Sequence, residues 1–201
     1  MVFAFGMVSM TTSAFAASDI TGGINLVNSI DGADGAETEF LSPVVFYDSY
    51  FMLGSKFGIG TGVGFIYSET NDDEFAWAWT YPENNRNAGN YIMPVYLSGK
   101  LYMGSNPSMQ PYAKLNLGYA FWWADDQVDI PDDRSSYDDG TEGGFYFGLA
   151  LGLKVGILTF ELDYSTFTGD IYGNYRYSGY SYYYEADVDF NFLSIRAGFS
   201  F

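Results

Sequence analysis

The chain has 201 residues, enough for one domain, with no Cys, no His and a net charge of −17. These absences exclude disulfides, thiol chemistry, an imidazole base and histidine metal sites, and eight scattered basic residues exclude a nucleic-acid partner, which needs clustered Lys and Arg. The 19 Tyr and 18 Phe favour strands and membrane interfaces and exclude an ordinary disordered segment.

In chain order, residues 1–16, MVFAFGMVSMTTSAFA, read as a secretory signal. Val2 to Met10 form a short apolar stretch, and Ala14-Phe15-Ala16 supplies a small-residue cleavage site that makes Ala17 the first mature residue. No later segment reaches about 18 apolar residues, so a membrane assignment has to rest on strands. Residues 17–201 read as one β domain. Two weaker strands come first, at about 19–29 and 39–48, and Pro43 obscures the phase of the second. Lys56 to Ser68 then alternates strictly: Phe57, Ile59, Thr61, Val63, Phe65 and Tyr67 oppose Gly58, Gly60, Gly62 and Gly64. Four glycines at period 2 weaken a free strand, and are expected where large side chains from across a small barrel need room. The same alternation predicts strands at 91–103, 111–123, 145–154, 157–166 and 192–201, eight in all.

The connections alternate in length. Short ones are predicted at 49–56, 104–110 and 154–157, long ones at 30–38, 69–89, 124–143 and 167–187. Charge sorts with length. The long connections and their strand tips hold 21 of the 25 acids and only Arg86, Arg134 and Arg176, a sum of −18; the remainder holds four acids and five bases. Short turns at one end and long loops at the other are how outer-membrane barrels are built, with both termini at the short-turn, periplasmic end.

Period 2 alone also fits a soluble sandwich or a lipocalin-like barrel. The faces decide for lipid. Each strong strand carries about five apolar residues on one face, enough to cross the hydrocarbon when tilted. The opposite faces carry mid-strand charges: Lys100, Lys114, Glu161, Asp163 and Arg196. Aromatic residues gather at strand ends, from Tyr119 to Trp123 and at Phe199 and Phe201, as interfacial girdles do.

The final FLSIRAGFSF, with Phe201 last and apolar residues at alternate positions before it, resembles the assembly signal of outer-membrane proteins. Ile92 to Phe121, IMPVYLSGKLYMGSNPSMQPYAKLNLGYAF, resembles the central hairpin of the small OmpA/OmpX-type β-barrel family. The resemblance implies an outer-membrane location and assembly by the barrel-assembly machinery through Phe199 and Phe201. It includes no separate peptidoglycan-binding domain.

Three features are candidate functional ones. Lys100, Lys114 and Arg196 are expected to pair with Glu161 and Asp163 inside the barrel, as a structural polar core or as a narrow gated path. The acidic connections, with Asp125, Asp126, Asp129, Asp132, Asp133, Asp138 and Asp139 in one and Asp72, Asp73 and Glu74 in another, are expected to be a solvated surface. They also suit Ca²⁺ or Mg²⁺, or loose divalent bridging to lipopolysaccharide. Tyr172, Tyr175, Tyr177, Tyr180, Tyr182, Tyr183 and Tyr184 mark either a hairpin extended beyond the membrane or a recognition surface. Glu161 and Asp163 share one strand face and are the one acid–base pair worth considering, but nearby cations point to ion pairing. The prediction is therefore an all-β, eight-stranded antiparallel up-and-down transmembrane β-barrel, not an enzyme and without cofactor. Its role is structural or surface-interacting with a largely closed polar lumen; the alternative is a narrow porin-like channel for ions or small solutes. The expected partners are outer-membrane lipid and lipopolysaccharide, the assembly machinery, and divalent cations at the acidic loops.

Overall fold

A computed structural model describes residues 16–31, 42–70, 88–104, 106, 108–125, 138–177 and 180–201. Its regular structure is β throughout: β1 (Ala16–Asp31), β2 (Pro43–Leu53), β3 (Phe57–Thr70), β4 (Ala88–Tyr102), β5 (Met109–Asp125), β6 (Asp138–Glu142), β7 (Gly144–Val155), β8 (Leu158–Tyr177) and β9 (Tyr180–Ser200). Neighbours pair antiparallel, and β9 pairs with both β8 and β1, so the sheet closes on itself. β6 and β7 share one place in the wall. Both pair with β8, and the register slips by one residue between Glu142↔Asp170 and Tyr146↔Phe167. A Cβ at Gly143 would strike the Ala120 carbonyl, so this bulge requires glycine. The barrel wall is thus eight strands around.

Closure is staggered. From Val44 the paired residues run one way through Ile66 and Ile92 to Trp122 on β5. The other way they run through Gly23, Arg196, Glu161 and Gly152 to Tyr112 on the same strand, ten residues away. Eight strands with that shear tilt by about 40° and leave an interior that side chains can fill. Ser18 and Phe201 complete the seam at the short-turn end by exchanging backbone hydrogen bonds of 2.7 and 2.9 Å. Closure matters because lipid offers no partner to a free strand edge.

The exterior is the apolar side. Among the described residues 32 large hydrophobic side chains are exposed, far more contiguous apolar surface than a water-soluble monomer carries. Leu115, Leu117, Tyr119, Phe121 and Trp123 on β5 and Leu158, Phe160, Leu162 and Tyr164 on β8 are typical. The five predicted mid-strand charges are all buried. A soluble barrel has the reverse arrangement, so this one spans a bilayer with strands; no helix among the described residues is long and apolar enough to do so. At the loop end Tyr91 stacks on Trp123 with ring centroids 6.2 Å apart and Tyr67 packs on Tyr91 at 5.3 Å, an aromatic girdle across β3, β4 and β5.

Several boundaries differ from expectation. β2 runs on to Leu53, so the first short turn shrinks to 54–56; Pro43 heads the strand, where a missing N–H costs little. Gly54 and Gly156 turn with φ of 76° and 61°, values that side chains resist. The stretch 167–187, expected as a long connection, is mostly a paired ribbon: β8 and β9 stay in register as far as Tyr177↔Tyr180. That is the extended-hairpin alternative for the tyrosine-rich segment. The predicted secretory signal, except Ala16, and the acidic segments at 71–87 and 126–137 lie outside the described residues.

Candidate functional site

The lumen has two parts. The part nearer the short turns is charged. Lys114 on β5 sits at its centre, its ammonium 3.1 Å from Asp48 on β2 and 2.9 Å from Glu161 on β8. Arg196 on β9 lies 2.8 Å from Glu161 and 2.7 Å from Asp163. Lys100 on β4 pairs with Asp19 on β1 at 2.5 Å. All seven groups are at most 3% exposed. Phenols extend the network: Tyr96 donates to Asp48 at 2.8 Å and Tyr112 to Glu161 at 2.9 Å. Ser98 donates to Asn116 at 2.7 Å. Buried charges persist only when paired, and these pairs span six of the eight wall positions.

β3 contributes no charge here, and β7 contributes only Lys154 near the rim, which donates to Ser200 at 2.9 Å. The two strands contribute glycine and alanine, and the other strands' side chains lie down across them. Tyr96, Gly62 and Asp48 are successive partners on β4, β3 and β2. The Tyr96 ring covers Gly62 and its hydroxyl reaches Asp48 beyond. The device recurs with Tyr112, Gly152 and Glu161 on β5, β7 and β8. A third pair links Tyr50 and Ser98 at 3.2 Å across Gly60. The glycine stripe therefore makes room for side chains of adjacent strands, not for groups from across the barrel as its spacing alone suggested.

The part farther from the short turns is apolar. Val44, Phe46, Ile66, Ile92, Ala120, Trp122, Phe167, Val188, Phe190 and Phe192 point inward and are buried. Phe167 and Phe190 stack with centroids 4.5 Å apart, and Trp122 meets Phe190 edge-on at 4.8 Å. Trp122 donates its indole N–H to Asn90 at 3.2 Å. The Arg196 guanidinium lies 4.2 Å from the Phe46 ring centre, where the two parts join. This corrects the expectation of a lumen lined throughout by small and polar residues.

Of the five charges singled out in the sequence, Lys114, Glu161, Asp163 and Arg196 lie together with Asp48 added, whereas Lys100, expected to pair with Glu161 or Asp163, pairs with Asp19. The signal for the missing two was present. Of the 25 acids, the four outside the long connections and their tips are Asp19, Asp48, Glu161 and Asp163, and all four face the lumen. Phe199 and Phe201 point outward at the short-turn end, 55% and 67% exposed. Among the described residues no three His, Cys, Asp or Glu side chains are grouped to hold a metal ion.

No protein-family profile and no curated protein sequence matches the chain. Solved structures do. The outer membrane protein OprG from Pseudomonas aeruginosa superposes over 92% of this chain and 95% of its own, with a TM-score of 0.56 at 15% identity. The fold is that of a small OmpA/OmpX-type outer-membrane β-barrel. Neisserial surface protein A matches over 92% of this chain and 97% of its own at 10% identity, with a TM-score of 0.48. Outer membrane protein AlkL matches over 100% and 97% at 14% identity, with a TM-score of 0.47.

Proposed function

We propose that this protein serves a Gram-negative outer membrane as a closed barrel, a rigid stem that holds its loop-side surface out of the membrane. The observation that carries this reading is the filled lumen. A seven-member charge network at most 3% exposed occupies one part, and a stacked aromatic cluster occupies the other. An ion would have to break several buried pairs and then cross a dry constriction. Glu161 and Asp163 are held by Lys114 and Arg196, and on this reading their role is structural, with no acid–base work. Its partners on this reading are outer-membrane lipid and lipopolysaccharide along the belt. The barrel-assembly machinery reads Phe199 and Phe201, and divalent cations bridge the acidic loops to lipopolysaccharide phosphates.

The test is single-channel recording in a planar bilayer, on refolded protein whose folding is verified by heat-modifiable gel mobility. A silent bilayer is expected. Discrete conductance steps that change with Lys114→Ala or Glu161→Ala would replace this reading with a narrow channel for ions or small solutes.

A further inference from the structure

We propose that the short-turn end of the lumen contains a preformed binding site for a primary alkylammonium, which the chain fills with its own Lys100. The Lys100 ammonium is enclosed by three phenol rings as well as by Asp19. It lies 3.8 Å from the ring centre of Tyr112, 5.1 Å from that of Tyr102 and 5.4 Å from that of Tyr50. All three distances are within the roughly 6 Å over which a ring face attracts a cation. An ion pair needs only the carboxylate. The rings add recognition of a compact cation in a site from which water is excluded.

The rings do not depend on Lys100 for their positions. Tyr112 is held by its hydroxyl on Glu161 at 2.9 Å, and its ring rests over Gly152. Tyr50 is held by Ser98 at 3.2 Å, and Tyr102 packs edge-on against Tyr112 with centroids 5.7 Å apart. The hydroxyls point to other strands while the ring faces turn to the ammonium. Removing the lysine side chain therefore leaves a standing cage with a carboxylate at one wall. The site lies at the mouth: Lys100 is two residues from the end of β4, and Asp19, Tyr50 and Tyr112 are each three from the short-turn ends of β1, β2 and β5. The route to it from the periplasmic side does not cross the aromatic cluster. The site is independent of whether the closed-barrel reading holds, because it uses none of the loop-side residues.

Lys100→Ala, refolded in detergent micelles, is expected to melt lower than the parent. Methylammonium chloride should then raise its midpoint saturably, while NaCl at equal ionic strength should not, and the parent should respond to neither. A midpoint that rises equally with both salts, or with neither, overturns the proposal. A second measurement covers a variant that fails to fold. Lys100→Cys, the one thiol in a chain without Cys, is alkylated while unfolded with 2-bromoethylamine, which restores an ammonium at lysine length, or with ethyl iodide, which leaves a neutral chain. The first adduct should refold like the parent and the second should lose most of its folded yield. Equal refolding of the two would mean that the site needs volume and not an ammonium, and would likewise overturn the proposal. Conductance is not read in either experiment, so failure here is distinct from failure of the closed-barrel reading.

Discussion

The two parts of the lumen fill the same barrel by different physics. Around Lys114 the fit is electrical: each carboxylate has a cation or phenol within hydrogen-bond reach, and the sum depends on every member staying. Around Phe190 the fit is steric: rings meet rings at 4.5 and 4.8 Å, and what matters is volume. In the first part, deleting one group harms those left behind. In the second, deleting a group leaves a hole. Substitutions separate the two.

Arg196→Leu should have the largest effect. It keeps much of the volume but leaves Glu161 with one cation fewer and Asp163 with none among the ion pairs seen. Breaking a buried pair from one side costs about 3–5 kcal/mol, and the upper end is expected because two acids are affected. Urea unfolding in micelles reads the loss. Adding Glu161→Gln and Asp163→Asn should return part of it, since the cost is that of stranded charge. If the triple variant is no more stable than the single, the network is not electrical in the sense argued.

Phe190→Ala comes next, at about 3–5 kcal/mol by transfer and cavity costs together. Phe190→Leu should cost less than about 1.5 kcal/mol, because the volume is nearly kept. The pair also bears on closure. If the aromatic cluster seals the loop end, Phe190→Ala should let small ions leak through a bilayer recording more readily than Phe190→Leu does. Equal costs for the two variants would remove the distinction between volume and charge.

Most of the wall was legible because lipid imposes one rule on every strand. Where apolar residues sit at period 2 and face the hydrocarbon, as in Phe57 to Phe65 or Leu158 to Leu162, face and span follow from the letters. The lumen charges followed by elimination, since a charge on such a strand has only one side to face. The rule fails where the surroundings change. Along β9 the run 187–192, Asp-Val-Asp-Phe-Asn-Phe, has its apolar residues inward, whereas Ile195 and Phe199 lie outward. No break in the strand accounts for this; β8 and β9 stay paired throughout. What changes is the medium outside. On β8 the outward face turns from Leu162 and Tyr164 to Thr166 and Thr168 at the same stretch, and the interior becomes ordinary dry core. Strand patterning alone reads such an inversion as the end of a strand, so the letters of 167–187 predict a long connection. On β2, predicted at 39–48, the phase is obscured for a related reason. Val44 and Phe46 inward and Val45 and Tyr47 outward make both faces apolar, so Asp48 had no assigned side.

The smallest effect tests the glycines that join the two parts. Gly62 lies under the Tyr96 ring on the way to Asp48, and a Cβ there would overlap both the ring and the carboxylate. Tyr96 also packs against Phe46 with centroids 6.3 Å apart, so its ring belongs to the aromatic cluster while its hydroxyl belongs to the charge network. Gly62→Ala should therefore cost about 1–3 kcal/mol as overpacking. Gly99→Ala is the control: it is also in a strand, but a Cβ there meets nothing nearer than the Phe57 ring at 4.0 Å, and little change is expected. Combining Gly62→Ala with Tyr96→Ala should cost less than the two singles added, because removing the ring removes the clash. Strict additivity would mean that the ring does not rest on Gly62. The glycine stripe would then be a matter of backbone geometry alone, and the coupling between the charged and aromatic parts would have to run through Arg196 and Phe46 instead.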